Sequence, residues 1–346
     1  MKKALASALV TALALAGAAA CSDTSRRVRT TPAAAETSSS PAPQPLTPAM
    51  AAKAFHTFVN NDDVARASGD ERLGLWWTSE GQSQLTAAAF RTAVAAGEPV
   101  PRYRYDSPAF YVPRLRPVGP QWFVATARRS TADGTDPQTA IMGFVRSKPT
   151  QRWRLSLSTL LDKKQKPPKI ALDAEGYAKP LATFDTSLVI PPRVVPSIQA
   201  TLAEEGPGSV AAGVMATGKH TTEYYTADQK LTKSRKSAGL RSHTLYATTA
   251  FPIFPLATTD GGGIVLYALS RDAITSKSKT KAGRVPVPKE AVPFIDPALV
   301  RNEIGLTQTL QFAALVPLKP KKGASPAKAT IIAAGGGIVR ASLPSH

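Results

Sequence analysis

The chain has 346 residues, with 43 Lys and Arg against 24 Asp and Glu, a formal charge of +19, and 43% hydrophobic residues. That apolar share supports packed cores and excludes a wholly disordered chain, and the length suits one or two folded domains at about 100–200 residues each. A single Cys excludes an internal disulfide framework or a Cys-based zinc cluster, and four His, none close to another, supply no His-rich metal site.

At the start of the chain, Lys2 and Lys3 precede an apolar run from Ala4 to Ala16, broken only by Ser7 and Thr11. The run is shorter than the roughly 20 residues a permanent membrane helix needs and has the length and flanks of a secretory signal over residues 1–20. Small residues, Gly17-Ala18-Ala19-Ala20, lead directly into Cys21, the only cysteine. Ala18-Ala19-Ala20-Cys21 resembles the lipobox of bacterial lipoproteins, although that family usually carries Leu where Ala18 stands. The resemblance implies cleavage between Ala20 and Cys21 and a diacylglycerol on the Cys21 thiol. Each buried methylene contributes about 0.8 kcal/mol, and two chains make attachment stable where one does not. Ala18-x-Ala20 also satisfies an ordinary signal-peptidase site at the same bond, so a free secreted protein is the alternative.

Residues 21–46 follow as the lipidated Cys and a linker of mainly Ser, Thr, Pro and Ala without an aromatic residue. Such a segment buries too little apolar surface to offset its ordering entropy and reads as a tether. Arg26, Arg27 and Arg29 lie near the anchor and can meet anionic headgroups, at about 1 kcal/mol each near the surface. Removing Lys2 and Lys3 with the signal takes the formal charge from +19 to +17. A charge of this size suits a polyanion. Export and the absence of aromatic-plus-basic strand spacing argue against nucleic acid, leaving anionic lipid, an anionic envelope polymer or an envelope protein as partner.

Thr47-Pro48 opens the folded region, Thr as a helix cap and Pro at the first helical position. Met50, Ala51, Ala54, Phe55, Phe58 and Val59 then recur at helical spacing. Asn60-Asn61-Asp62 is expected to end this helix and cap a second through Ala67. Thr86 is expected to cap a third, Ala87 to Ala96, with Trp76-Trp77 between them anchoring a core. Past Gly97 the pattern alternates. Strands are expected at Arg102 to Asp106, Ala109 to Leu115, Trp122 to Arg128, Thr139 to Arg146 and Arg152 to Leu161. In the last of these Trp153, Leu155, Leu157 and Thr159 share one face.

Helices followed by a curled antiparallel meander is an α+β plan. Over about residues 47–162 that element order resembles the nuclear-transport-factor-two-like, cystatin-like family, in which helices pack into a cone formed by a curved sheet. The resemblance implies a cavity under the helices, for which Tyr103, Tyr105, Tyr111, Trp122 and Trp153 are the aromatic candidates. Strand register decides which of them face inward, since a one-residue slip exchanges the faces.

Lys163 to Lys169, basic and with two prolines, marks a boundary. Beyond it, residues 170–344 repeat the order of helices then strands. Helices are expected at Ile198 to Glu205 and Ala227 to Lys236, and strands at His243 to Phe254, Gly263 to Leu269, Thr307 to Leu318 and Lys328 to Leu343. Asp260-Gly261 signals a turn, and Lys277 to Pro297 is a Pro-rich excursion. The expectation is two tandem domains of similar plan, with one composite domain as the alternative.

The runs Gly261-Gly262-Gly263 and Gly335-Gly336-Gly337 precede strand-like residues rather than helices, so they read as turns or bulges and not as phosphate loops. Base catalysis by His56, His220 or His243 would need a nucleophile and an orienting carboxylate nearby, and no G-x-S-x-G or similar context accompanies any of them. Asp62, Asp63, Asp70 and Glu71 read as helix-end residues rather than cation ligands. No catalytic residue, metal or cofactor is expected. Composition and layout resemble exported lipoproteins of unknown function from high-GC Gram-positive bacteria. The functional expectation is a membrane-anchored extracytoplasmic lipoprotein with a non-enzymatic binding or scaffold role. The alternative is a small-molecule-binding protein or enzyme using a cavity in one cone.

Overall fold

The computed structural model describes residues 45–117, 119–163, 165–278, 283–324 and 327–343. The expected signal, the cleavage residues Ala20 and Cys21 and the tether through residue 44 lie outside the described residues. Leu46, the last residue assigned to the tether, is buried and packs in the first core.

The first half carries three helices, α1 Pro48–Ser68, α2 Glu71–Trp76 and α3 Glu80–Ala96. Thr47 caps α1 as expected, its hydroxyl accepting from the Met50 amide at 3.2 Å. Asn60-Asn61-Asp62 does not end α1. The apolar stripe continues past it to Ala65, and Gly69, in the left-handed conformation that glycine tolerates, stops the helix. Asp70 caps α2 through the Leu73 amide at 2.9 Å. Helix α3 begins at Glu80, one turn and more before Thr86, which is buried inside it. Trp77 packs on the core, whereas Trp76 is exposed with the Arg152 guanidinium over its ring at 3.3 Å.

Four antiparallel strands follow, β1 Tyr103–Tyr111, β2 Gln121–Thr131, β3 Gln138–Arg146 and β4 Arg154–Leu161. The two strands expected across residues 102–115 are one, interrupted by a register shift between Asp106 and Ala109. The second half supplies helices α4 Val195–Glu205 and α5 Thr222–Ser237. Its strands are β5 Leu240–Thr248, β6 Phe254–Ala257, β7 Gly263–Lys277, β8 Glu303–Val316 and β9 Thr330–Ser342. Asp260 and Gly261 form the turn between β6 and β7, with Asp260 Oδ1 accepting from Thr258 Oγ1 at 2.5 Å. The triple glycine at 335–337 is not a turn but lies within β9. No helix among the described residues is long and apolar enough to cross a membrane.

All nine strands belong to one antiparallel sheet in the order β1-β2-β3-β4-β9-β8-β7-β5, with β6 pairing β7. The order is a meander from each end, and the last strand of each half meets the other in the middle, Leu160 opposite Ala334 and Leu161 opposite Ala333. The described residues accordingly form one compact unit. Each half also contains a bulge. Gly143 opposes Leu157 and Phe144 opposes Leu155, leaving Ser156 extra; Ala313 opposes Ala333 and Ala314 opposes Ile331, leaving Ile332 extra.

Three cores explain why several strands are apolar on both faces. Beneath α1, Phe55, Phe58, Phe123, Phe144 and Trp153 pack together, with Phe123 and Phe144 stacked at 4.8 Å. Beneath α4, Val265, Tyr267, Phe312 and Leu202 form the matching core of the second half. On the opposite face of the sheet, Val124, Ile141 and Leu157 of the first half bury against Phe254, Leu266 and Ala313 of the second. Strand β7 therefore begins with seven consecutive buried residues, a pattern expected of a strand covered on both sides.

Candidate functional site

A cavity of about 620 Å³ opens between α1, α3 and the face of the sheet that they cover, with Glu290, Phe294 and part of β9 from the second half in its lining. Residues of α3 that recur at helical spacing, Leu85, Ala88, Ala89, Thr92 and Ala96, form one wall. The facing wall comes from β1, β2 and β4 and from the glycine run of β9. A Cβ on Gly337 would meet nothing within 4 Å, so this stretch of β9 lines the cavity with backbone alone.

The polar groups of the cavity gather at Asp62 and Arg66, one turn apart on α1 and both buried. Arg66 Nε donates to Asp62 Oδ2 at 2.7 Å, and Arg66 Nη1 donates to the Pro101 carbonyl at 3.0 Å. Burial pulls the Arg66 guanidinium down, but the Asp62 charge and hydrogen bond lift it further, so the net shift is upward and Arg66 stays charged. The second carboxylate oxygen, Asp62 Oδ1, is buried without a hydrogen-bond partner, as are Gln82 Oε1 and Thr86 Oγ1 in the same lining. Buried polar atoms are paired in nearly all cases, and leaving one unpaired costs about 1–3 kcal/mol. Beside them, burial first and the Asp62 charge second push the Tyr105 hydroxyl well above its usual range, keeping it a proton donor. Arg129 lies over the Tyr103 ring at 4.3 Å. Two exposed carboxylates, Glu98 and Glu290, complete the charged lining.

Of the five aromatic residues expected at a pocket, Tyr103 and Tyr105 line this cavity. Tyr111 and Trp122 lie on the opposite sheet face, where Trp122 meets Phe254 edge-on at 5.6 Å. Trp153 is a core residue under Arg146. The strand register, with its shift between Asp106 and Ala109, separates Tyr111 from the other two tyrosines. Asp62, read in the sequence as a helix-end residue, is instead the buried centre of the site. The signal that points to it is the i,i+4 spacing of Asp62 and Arg66 on a helix.

The remaining sequence candidates are placed elsewhere. His56 is exposed beside Phe55, and His243 is exposed on β5. His220 is buried, its Nε2 at 2.9 Å from Asp162 Oδ2, with no hydroxyl or thiol nucleophile among its partners. Asp63 pairs with Arg102 at 2.7 Å, and among the described residues no group of three or more His, Cys, Asp or Glu is placed to hold a metal. An open depression of about 780 Å³ beside β5 is lined by Lys236, Arg241, His243 and Ser278 among others.

No curated protein and no solved structure matches the chain. A family model described as "Domain of unknown function (DUF8094)" matches residues 42–342, a span that holds every helix and strand described above. The chain belongs to that family.

Proposed function

We propose that this protein is a lipid-anchored, non-enzymatic binding protein of the cell envelope, whose folded part holds a small molecule in the cavity between α1, α3 and the sheet. The anchor is the diacylglycerol implied by the lipobox-like residues ending at Cys21, and the envelope partner reached through the basic surface is secondary to the cavity. In this reading each half is a cone of helices on a curved sheet, similar in plan to the cystatin-like family, and the two cones are tandem copies fused through β4 and β9. One observation carries the binding role: a 620 Å³ cavity that holds a buried carboxylate oxygen, Asp62 Oδ1, with no partner. Pockets of this size suit small ligands, and a few convergent polar groups in an apolar lining orient them.

The test is native mass spectrometry of the mature protein purified in detergent from its own envelope. The expected result is a small adduct that leaves on denaturation and is missing from the Ala89→Trp variant, which fills the cavity. A native wild-type mass equal to the mass after denaturation would overturn the binding role. Partition into the aqueous phase of a detergent extraction, with an unmodified Cys21, would overturn the anchor.

A further inference from the structure

The same three side-chain types stand side by side in each half of the sheet. In the first, Tyr105 of β1 opposes Arg129 of β2, which opposes Gln138 of β3. In the second, Tyr246 of β5 opposes Arg271 of β7, which opposes Gln308 of β8. Laying Gln138 on Gln308 also lays the Gly143/Phe144 bulge on the Ala313/Ala314 bulge, with Ser156 on Ile332 as the extra residue. Side chains and backbone irregularity thus give one alignment.

What closes each set differs. In the second half Arg271 pairs through Nη2 with Asp228 of α5, and Arg271 Nε donates to the Tyr246 hydroxyl at 2.9 Å. The Tyr246 hydroxyl donates in turn to Asp228 Oδ2 at 2.9 Å, so guanidinium and phenol grip one carboxylate between them. The space left there is about 210 Å³. In the first half, among the described residues, no carboxylate comes within ion-pair distance of Arg129. Counting back from each tyrosine by the same interval, the place of Asp228 falls on Ala87, next to Ala88 and Ala89, which line the cavity. Asp62 is committed to Arg66, and Glu98 and Glu290 are exposed to water. The second half therefore carries within its own chain the acid that the first half lacks.

We infer that the cavity binds a small organic carboxylate, its charged group held by Arg129 and Tyr105 as Asp228 is held by Arg271 and Tyr246. Asp62 Oδ1 then accepts a hydrogen bond from a donor on the ligand, and the alanine face of α3 with Phe58 and Leu160 covers its apolar part. Charge-assisted pairing with Arg is the stronger class of hydrogen bond and favours a planar carboxylate. This inference rests on the cavity as the binding site and adds the chemical class of what fills it.

The experiment is titration calorimetry of the mature full chain with two matched pairs, 3-phenylpropionate against 3-phenylpropionamide and octanoate against octanamide. Saturable binding of the acids, at least tenfold tighter than their amides, is expected. Arg129→Gln should bring the acids down to the amide level, and Ala89→Trp should remove binding of all four. Should Arg129→Gln fail to fold, Tyr105→Phe gives the same reading, a several-fold loss for the acids and none for the amides. Amides binding as tightly as acids, or acids unaffected by the loss of Arg129 or the Tyr105 hydroxyl, would overturn the carboxylate inference and leave the cavity as a binding site. Absence of saturable binding by any of the four would overturn both.

Discussion

At the scale of single residues, the pair Asp62–Arg66 is both the polar centre of the cavity and a liability for stability. Its side chains are 6% and 8% exposed, so removing one partner strands the other charge away from water. Arg66→Ala is expected to cost about 3–5 kcal/mol in urea unfolding, whereas Asp62→Leu with Arg66→Met should recover most of that loss. The pair was legible only in part. Asp62 follows two asparagines, which compete with the helix backbone and so suggest a terminus, while the apolar spacing of Phe58, Ala65 and the turns between them carries α1 straight through. Tyr103 and Tyr105 were legible because strict alternation along a strand puts both on one face. In acid, Asp260 is one of six carboxylates among the described residues that their surroundings hold low. The Thr258 hydroxyl first, and then the Gly262 amide, hold the Asp260 carboxyl below its ordinary value of 3.8. Its contribution is therefore complete above that value and disappears as the pH falls through the lower folded one. Thermal unfolding followed from pH 6 down to pH 2 should show loss of stability setting in only below about pH 4, and Asp260→Asn should make that limb shallower by the share of one carboxylate.

Among the elements, the bulges do more than bend strands. Strict alternation from Trp153 to Thr159 assigns Leu155 and Leu157 to one face. In the fold Leu155 joins the core under α1 and Leu157 joins the core on the opposite side, because Ser156 is an extra residue between them. Periodicity cannot register an insertion that only the partner strand reveals, which is why this part of the sheet escaped the sequence. Deleting Ser156 would set Leu155 beside Leu157 on opposite faces, as their two cores require, and is expected to keep the cooperative transition seen by near-ultraviolet circular dichroism, whereas deleting Arg154 should turn Trp153 out of the core under α1 and abolish it. Element lengths were less legible than element types. Helix α3 starts at Glu80 because Leu155 bonds the backbone on either side of Thr78 and fixes the entry to the helix, a contact between residues distant in sequence. A close approach links the halves as well. A Cβ on Gly143 would stand 2.6 Å from the Phe254 ring, so Gly143→Val should cost roughly 1–3 kcal/mol, with part of the loss recovered by Phe254→Leu.

Across the whole molecule, a boundary that reads clearly in the sequence, the basic and proline-bearing stretch from Lys163 to Lys169, separates two sets of elements but not two sheets. Composition reports where a chain is polar; it does not report that Val124, Ile141 and Leu157 will be covered by residues of the other half, such as Phe254, Leu266 and Ala313. Because that shared core and the β4–β9 seam join the halves, calorimetry of residues 43–346 is expected to show a single transition whose calorimetric and van't Hoff enthalpies agree. Two resolved transitions would show that the halves melt separately. Residues 43–163 expressed alone should expose the β4 edge and the apolar face of β2 and β3, and aggregate rather than remain monomeric in sedimentation. The seam also sets an order of events during biosynthesis. Strand β9, the last of the nine to be translated, occupies the middle of the sheet, so a nascent polypeptide holding β1 through β8 has two unfilled flanks and no way to close them. Maturation must wait for the final stretch to emerge, and a ribosome that stalls shortly before it leaves a product whose two largest pieces have nothing to clasp.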